Sequence, residues 1–208
     1  MRTITRSPNP PACLAQQPPG QDWDVFSGTP CYDSVRDSLR QEQLYLCCYC
    51  EAEVGLDDNH VEHLVPRSTD AQWTYRYDNL AASCNGGTGD NRHCGHKKGG
   101  EYDAARFSPP HNPATCGLFR YLSNGVVEPA WGLSPQDNAK AEYLIELLNL
   151  KCPSLTGRRR RHAQQLITTL GQNPANDVVQ WALDYYLQPD ATGKLQSFYS
   201  VSKTVLAQ

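Results

Sequence analysis

The stretch from Leu46 to Gly99 decides the reading of this chain. It contains Cys47-Cys48-Tyr49-Cys50-Glu51, then His60-Val61-Glu62-His63, then Tyr77-Asp78-Asn79-Leu80, then Cys84 and Cys94-Gly95-His96-Lys97-Lys98-Gly99. Five of the nine cysteines and four of the six histidines lie here, so most side chains able to hold a metal ion are gathered in one quarter of the sequence. Cys47 and Cys50 have the spacing at which one turn offers two thiolates to a tetrahedral zinc. Cys84 and Cys94 are the nearest candidates for the other two ligands, although nine residues separate them and His93 remains an alternative to Cys94. Cys48 reads as a small buried apolar side chain.

A zinc closed by four cysteines has no open coordination position and does no chemistry. His60, Glu62, His63 and His96 therefore need a separate explanation. On a strand, His60 and Glu62 share one face and His63 turns to the other. His60 and Glu62 read as one ligand and one base around a divalent ion, with His96 closing the site from a helix. Phosphodiester hydrolysis suits this inventory. It needs a base of imidazole type to take a proton from water, and a hard cation with open positions to neutralise phosphate oxygens. Lys97, Lys98 and Arg67 are then candidates to hold flanking phosphates. The competing reading is a zinc-stabilised module that binds nucleic acid or protein without cutting it.

The ordered set Cys-x-Tyr-Cys-Glu, Glu-His-x-x-Pro, Asp-Asn-Leu and Cys-Gly-His-x-Lys-Gly resembles the HNH endonuclease superfamily, and within it the PtuB-like HNH subunits of Septu-type and retron-associated bacterial anti-phage systems. Asn112-Pro113, the run Asn124 to Pro129 and the run Ile145 to Leu150 agree with it. The resemblance implies an α+β fold with a ββα-metal core and a structural zinc knuckle. It implies His63 as general base, Asn79 as the residue orienting that base and its loop, and His96 as a catalytic residue and metal ligand beside Glu62. Cys47, Cys50, Cys84 and Cys94 fall on the zinc-knuckle positions. The departure is the long insertion between Cys84 and Cys94, which leaves His93, His96 and Lys97 competing for the third motif position, with His96 preferred. The implied activity is DNA cleavage with Mg2+ or Mn2+, zinc being structural. The implied partners are an ABC-type ATPase subunit and, in retrons, a reverse transcriptase with its RNA-DNA product.

At 208 residues the chain can bury a core without disulfides. The odd, irregularly spaced cysteines predict reduced thiols with metal as their partner, and a cytoplasmic location. No apolar run approaches the ~20 residues needed to cross a bilayer. A net charge of -3 excludes a uniformly basic nucleic-acid-binding surface. Cations cluster only at Arg92 to Lys98 and at Arg158 to Arg161, so nucleic acid would be held locally or with a partner's help.

Six prolines in residues 1 to 30 (Pro8, Pro10, Pro11, Pro18, Pro19 and Pro30) predict an extended arm over 1–31. The apolar spacing of Val35, Leu39 and Leu44 predicts a helix from Tyr32 to Leu46, capped by Asp33 or Ser34. Residues 46–66 read as a β-hairpin turning at Gly55 to Asn59, which would put the cysteine and histidine pairs on connected strands. A short helix is expected at His96, a hairpin turn at Ser123-Asn124-Gly125, and a helix start at Ser134-Pro135. Further helices are expected at 158–170, 175–187 and 194–206. The expected organisation is an arm (1–31), a nuclease domain (32–130) and a C-terminal helical subdomain (131–208).

Overall fold

Proline governs the start of the chain, and the computed structural model describes residues 1–18 and 22–207. Pro19 of the expected arm lies outside the described residues. Residues 1–18 carry only a 3-10 turn at Leu14–Gln16, as their missing amide donors require. They are packed rather than free, since Met1, Ile4 and Leu14 are buried in the main hydrophobic cluster, and Ile4 N–H donates to Pro110 O at 3.1 Å. Helix α1 (Trp23–Phe26) follows, with Asp22 accepting from Asp24 N–H at its start.

Helix α2 spans Pro30–Glu42 and buries Val35 and Leu39. Its cap is Thr29, not Asp33 or Ser34. Thr29 Oγ1 accepts from Tyr32 N–H at 3.3 Å, and Pro30 fills the first position, where no amide is needed. A disulfide joins Cys13 to Cys31, which corrects the expectation that all nine thiols are reduced. The odd count and irregular spacing describe the remaining set, not this pair.

The expected hairpin over 46–66 does not form. Leu46 meets Glu53 in a single bridge around the cysteine turn, while strand β1 (Asn59–His63) pairs antiparallel with β2 (Leu80–Cys84), His60 opposite Ser83 and Glu62 opposite Ala81. Gln43 explains the choice. Its buried amide donates to Leu46 O and Ala82 O, both at 2.8 Å, and accepts from Ala82 N–H at 2.7 Å. Cys48 N–H also donates to Ala82 O, at 3.0 Å. The free edge of β2 is thereby satisfied by a side chain and the cysteine turn instead of a third strand.

Helix α3 (Cys94–Lys98) starts where Gly95 N–H donates to Ser83 Oγ at 3.2 Å. The second sheet, β3 (Phe119–Tyr121) and β4 (Val127–Pro129), turns as expected. Gly125, at φ +86°, lies against Thr156 O and Arg160 N, where a Cβ would clash. Ser134 caps α4 (Pro135–Leu147), accepting from Asp137 N–H. Helix α5 (Pro153–Leu170) begins five residues earlier than expected, at its own proline, and ends at Gly171. Helix α6 spans Asn176–Leu187. Helix α7 spans Tyr199–Leu206 rather than starting at Lys194. Phe198 adopts φ 60°, and Leu195 and Phe198 spend their amides on Leu44 O and Glu51 O.

Among the described residues the result is a mixed α+β chain with two separate two-stranded sheets, whose buried side chains run from Met1 to Val205 in one cluster. No helix among the described residues is long and apolar enough to cross a membrane. The arginine run on α5 is not one solvated face. Arg159 is fully buried, donating to Leu150 O at 2.7 Å and lying over the Tyr121 ring.

His162 on α5 shares a 2.7 Å hydrogen bond with Ser202 Oγ on α7, and burial holds its pKa below the ordinary histidine value. The unfolded chain then binds the proton more readily than the fold. This contribution to stability is complete above an unfolded pKa of about 6.5 and is lost as pH falls below it. His162→Gln is expected to reduce the loss of stability between about pH 7 and about pH 5, as read from urea unfolding midpoints.

Candidate functional site

Four thiols converge from three separate segments. The turn Cys47 to Ala52 folds back on itself through Cys47 N–H to Ala52 O (2.8 Å) and Glu51 N–H to Cys47 O (3.1 Å), with Glu51 at φ 62°. This presents Cys47 and Cys50 together. Cys84 ends β2 and Cys94 opens α3. The Sγ atoms of Cys47, Cys50, Cys84 and Cys94 all lie within 4.8 Å of one another, and all four residues are buried. A zinc with Zn–S bonds near 2.3 Å requires sulfurs ~3.8 Å apart at tetrahedral angles. The Cys50 and Cys84 sulfurs are 3.7 Å apart. The four soft donors therefore fit a metal such as zinc in donor type, count and spacing.

The protons on these sulfurs point the same way. Burial, then hydrogen bonding to Cys47, raises the Cys94 thiol well above its usual range. Hydrogen bonds to Cys47 and Cys50, with burial, raise that of Cys84. Burial also opposes ionisation of Cys47, but hydrogen bonds from Cys48, Cys50, Cys84 and Cys94 draw it well down. A bare cluster thus shares its protons, and only a cation permits four thiolates together. The group of four that could hold a metal includes Cys94, and His93 stands next to it. His93 is buried beside the cluster, its Nε2 3.8 Å from Cys84 Sγ and its Nδ1 3.8 Å from Cys152 Sγ.

Beside this cluster, β1 presents His60 and Glu62 on one face, and Gly95 of α3 packs directly on them. A Cβ at Gly95 would lie 2.7 Å from His60 Nε2 and closer still to Glu62 Oε2. His60 and His96 stack with centroids 4.3 Å apart and planes 9° from parallel. Asn85 fixes both rings. Its Oδ1 lies 3.3 Å from His60 Nδ1, and its backbone oxygen takes the Nδ1 proton of His96 at 2.6 Å. The backbone oxygen requires the proton of His96 at Nδ1, so in its neutral form the His96 Nε2 lone pair is free. Glu62 Oε2 lies 3.6 Å from His60 Nε2. Glu62 Oε1 accepts from Tyr49 OH at 3.1 Å and pairs with Lys98 Nζ at 2.9 Å. Burial opposes ionisation of Glu62, yet His60 and Lys98 hold its pKa below the carboxylate value. One anionic oxygen and two imidazole nitrogens line a cavity of about 630 Å³. This donor set suits a divalent ion with open positions, in a looser arrangement than the sulfur cluster.

His63 lies at the rim of the same cavity. Its Nε2 donates to Thr74 O at 3.0 Å, and Trp23 packs edge-on against the ring at 4.3 Å. Burial lowers its pKa to about 4, so near neutral pH the ring is uncharged, with its proton on Nε2 and its lone pair on Nδ1. Asn79 secures the segment that holds it. The Asn79 side chain accepts from Val65 N–H at 2.8 Å and donates to Val65 O and Trp73 O at 3.0 and 3.1 Å. Arg67 lines the cavity and lies over the Trp23 ring.

The structure brings Glu62, His63 and His96 to one cavity, with Asn79 behind it. Lys98 is a correction. It is 1% exposed and paired to Glu62, so it does not hold a flanking phosphate. Lys97 and Arg92 are exposed and line a neighbouring depression that also includes His96. Asn85 and Trp23 carry no sequence signal for their roles, because each acts through a contact distant in sequence. Tyr49 was legible only as part of the cysteine turn.

A four-sulfur cluster that could hold a metal thus lies beside a pocket lined by histidines and a carboxylate. No protein-family model matches the chain. It is similar to "Retron Vc95 putative HNH endonuclease" of Vibrio cholerae serotype O1 biovar El Tor, 30% identical over 139 residues, which are 65% of this chain and 66% of that protein. It is also similar to "Retron Ec83 putative HNH endonuclease" of Escherichia coli, 33% identical over 84 residues, 36% of this chain and 32% of that protein. The first match thus covers just under two thirds of its relative, and the second about a third. Both likenesses support the HNH family.

Cys47→Ala and Cys50→Ala are expected to bring zinc from about one per chain to near zero and to lower soluble yield, because binding at such a site is part of folding. Elemental analysis checks this, and normal zinc content in either variant removes that cysteine from the ligand set.

Proposed function

We propose that the chain is a metal-dependent HNH endonuclease that hydrolyses DNA phosphodiester bonds, with its β1, β2 and α3 elements acting as a ββα-metal core. The observation that carries this reading is the meeting of a neutral, hydrogen-bonded His63 with Glu62, His60 and His96 in one open cavity. His63 is the general base: Thr74 O holds its Nε2 proton, and Nδ1 accepts a proton from the attacking water. Asn79 keeps that carbonyl segment in place. Glu62 and His96, with His60 beside them, would hold Mg2+ or Mn2+, which supplies charge neutralisation at the phosphate oxygens. Arg67 on one side and Arg92 and Lys97 on the other are suited to the adjoining phosphates. The cysteine cluster, as structural zinc, holds Cys94 and hence α3 against β2.

The sequence's resemblance to Septu-type and retron-associated HNH subunits extends the proposal to biology. In this reading the chain is the effector of a cytoplasmic anti-phage complex, with an ABC-type ATPase subunit and, in a retron, the reverse transcriptase and its RNA-DNA product. A net charge of -3 supports reliance on such partners for substrate affinity. The alternative of a zinc-stabilised binding module accounts for the four cysteines but gives no reason for a carboxylate and three histidines around one cavity.

His63→Ala is expected to lower cleavage of plasmid DNA by ~10²- to 10⁴-fold, the range for loss of a general base, with zinc content and cooperative melting retained. Undiminished nicking by a zinc-replete His63→Ala preparation would remove His63 from the chemistry.

A further inference from the structure

Lys98 lies behind the cavity wall, on the far side of Glu62, and hydrolysis does not employ it. It closes α3 and is 1% exposed, and its ammonium makes two contacts: Glu62 Oε1 at 2.9 Å and His63 O at 2.8 Å. Glu62 is itself only 6% exposed. A carboxylate buried to that degree needs a cation beside it. With Lys98 in place the pocket meets that need before any metal arrives.

We propose that Lys98 is the built-in counter-cation of Glu62, and that it makes binding of the divalent ion weak and dependent on the phosphate substrate. The proposal rests on the reading of Glu62, His60 and His96 as the ion's ligands. Two arguments carry it. Tyr49 OH and Lys98 Nζ occupy Oε1, so Glu62 offers an ion only Oε2 and cannot chelate with both oxygens. The charges also balance without metal: the Glu62 carboxylate and the Lys98 ammonium cancel, and Asp24 and Arg67 on the cavity wall offset one another. A divalent ion entering this site meets no net negative charge and is repelled by a neighbouring ammonium. The missing anion is the phosphodiester itself. Ion and substrate are therefore expected to bind together, each raising the other's affinity, as reciprocal linkage requires. Lys98 acts here as a positioning residue, since it touches the proposed ligand and not the reacting atoms.

The test is Mn2+ binding to the full-length, zinc-loaded chain, read from the loss of the free-ion paramagnetic resonance signal. Lys98→Met removes the charge, and Lys98→Gln removes it while keeping a hydrogen-bond donor for Glu62, so one variant stands if the other fails to fold. Both are expected to bind Mn2+ at least tenfold more tightly than wild type without DNA. Both are also expected to melt at a lower temperature than wild type without Mn2+ and to regain the difference when it is added. In a His63→Ala background, where DNA stays intact, a DNA duplex should raise Mn2+ affinity strongly when Lys98 is present and weakly in the Lys98 variants. Unchanged or weaker Mn2+ binding by folded, zinc-replete Lys98→Gln would overturn the proposal. His96→Ala and Glu62→Gln serve as separate controls. If neither alters Mn2+ binding, the ligand assignment itself fails and the role of Lys98 falls with it. If either abolishes binding while the Lys98 variants match wild type, only the counter-cation proposal fails.

Discussion

The convergence of four sulfurs is the constraint on which the rest depends. Cys47 and Cys50 come from a tight turn, Cys84 from the end of β2 and Cys94 from the start of α3. A five-residue helix and a two-stranded pair are each too small to be stable alone. Metal binding at a site of this kind is worth on the order of 10 kcal/mol, enough to hold such elements in register. Since Gly95 follows Cys94 directly and backs onto His60 and Glu62, an ion bound by the four sulfurs would also set the floor of the proposed catalytic pocket.

The pocket in turn shows how a few side chains can prepare a site. Asn85 directs two histidines with one side-chain oxygen and one backbone oxygen, and Asn79 spans the loop whose Thr74 carbonyl orients His63. These contacts fix tautomers as well as positions. A histidine with its proton committed to a carbonyl has only one nitrogen left for metal or proton transfer. Preparation of this kind leaves little to rearrange when substrate arrives.

Local patterns were legible in the sequence where chemistry is written at short spacing. Cys47 and Cys50, the alternation of His60 and Glu62, the cap at Ser134 and the turn before Val126 all read directly. What escaped was decided by partners far along the chain. Leu80 to Cys84 carries an Ala-Ala-Ser centre with no alternation to mark a strand, yet it is the strand that pairs with β1, because Gln43 satisfies its other edge. The α7 start was misjudged because Leu195 and Phe198 give their amides to Leu44 and Glu51. The Cys13–Cys31 bridge was invisible to a parity argument, since an odd total says nothing about one pair. Lys98 looked like a solvent-facing cation and is instead the ion partner of a buried glutamate, a distinction that spacing alone does not carry.

Glu51 gives the cysteine turn a mechanical role beyond metal holding. Its backbone oxygen accepts from Phe198 N–H at 2.8 Å, and its carboxylate accepts from Ser200 N–H and Ser200 Oγ at 2.8 and 2.6 Å. The residue directly after Cys50 thus caps the free amides at the start of α7, as a negative group at a helix N-terminus does. Helices α5 and α6 both pack on α7. The C-terminal helices are therefore tied to the sulfur cluster at two places, through Glu51 and through Leu148 O, which accepts from Cys94 N–H at 3.0 Å. A displacement of those helices would thus reach the pocket along a short path through Glu51, the cysteines and Gly95.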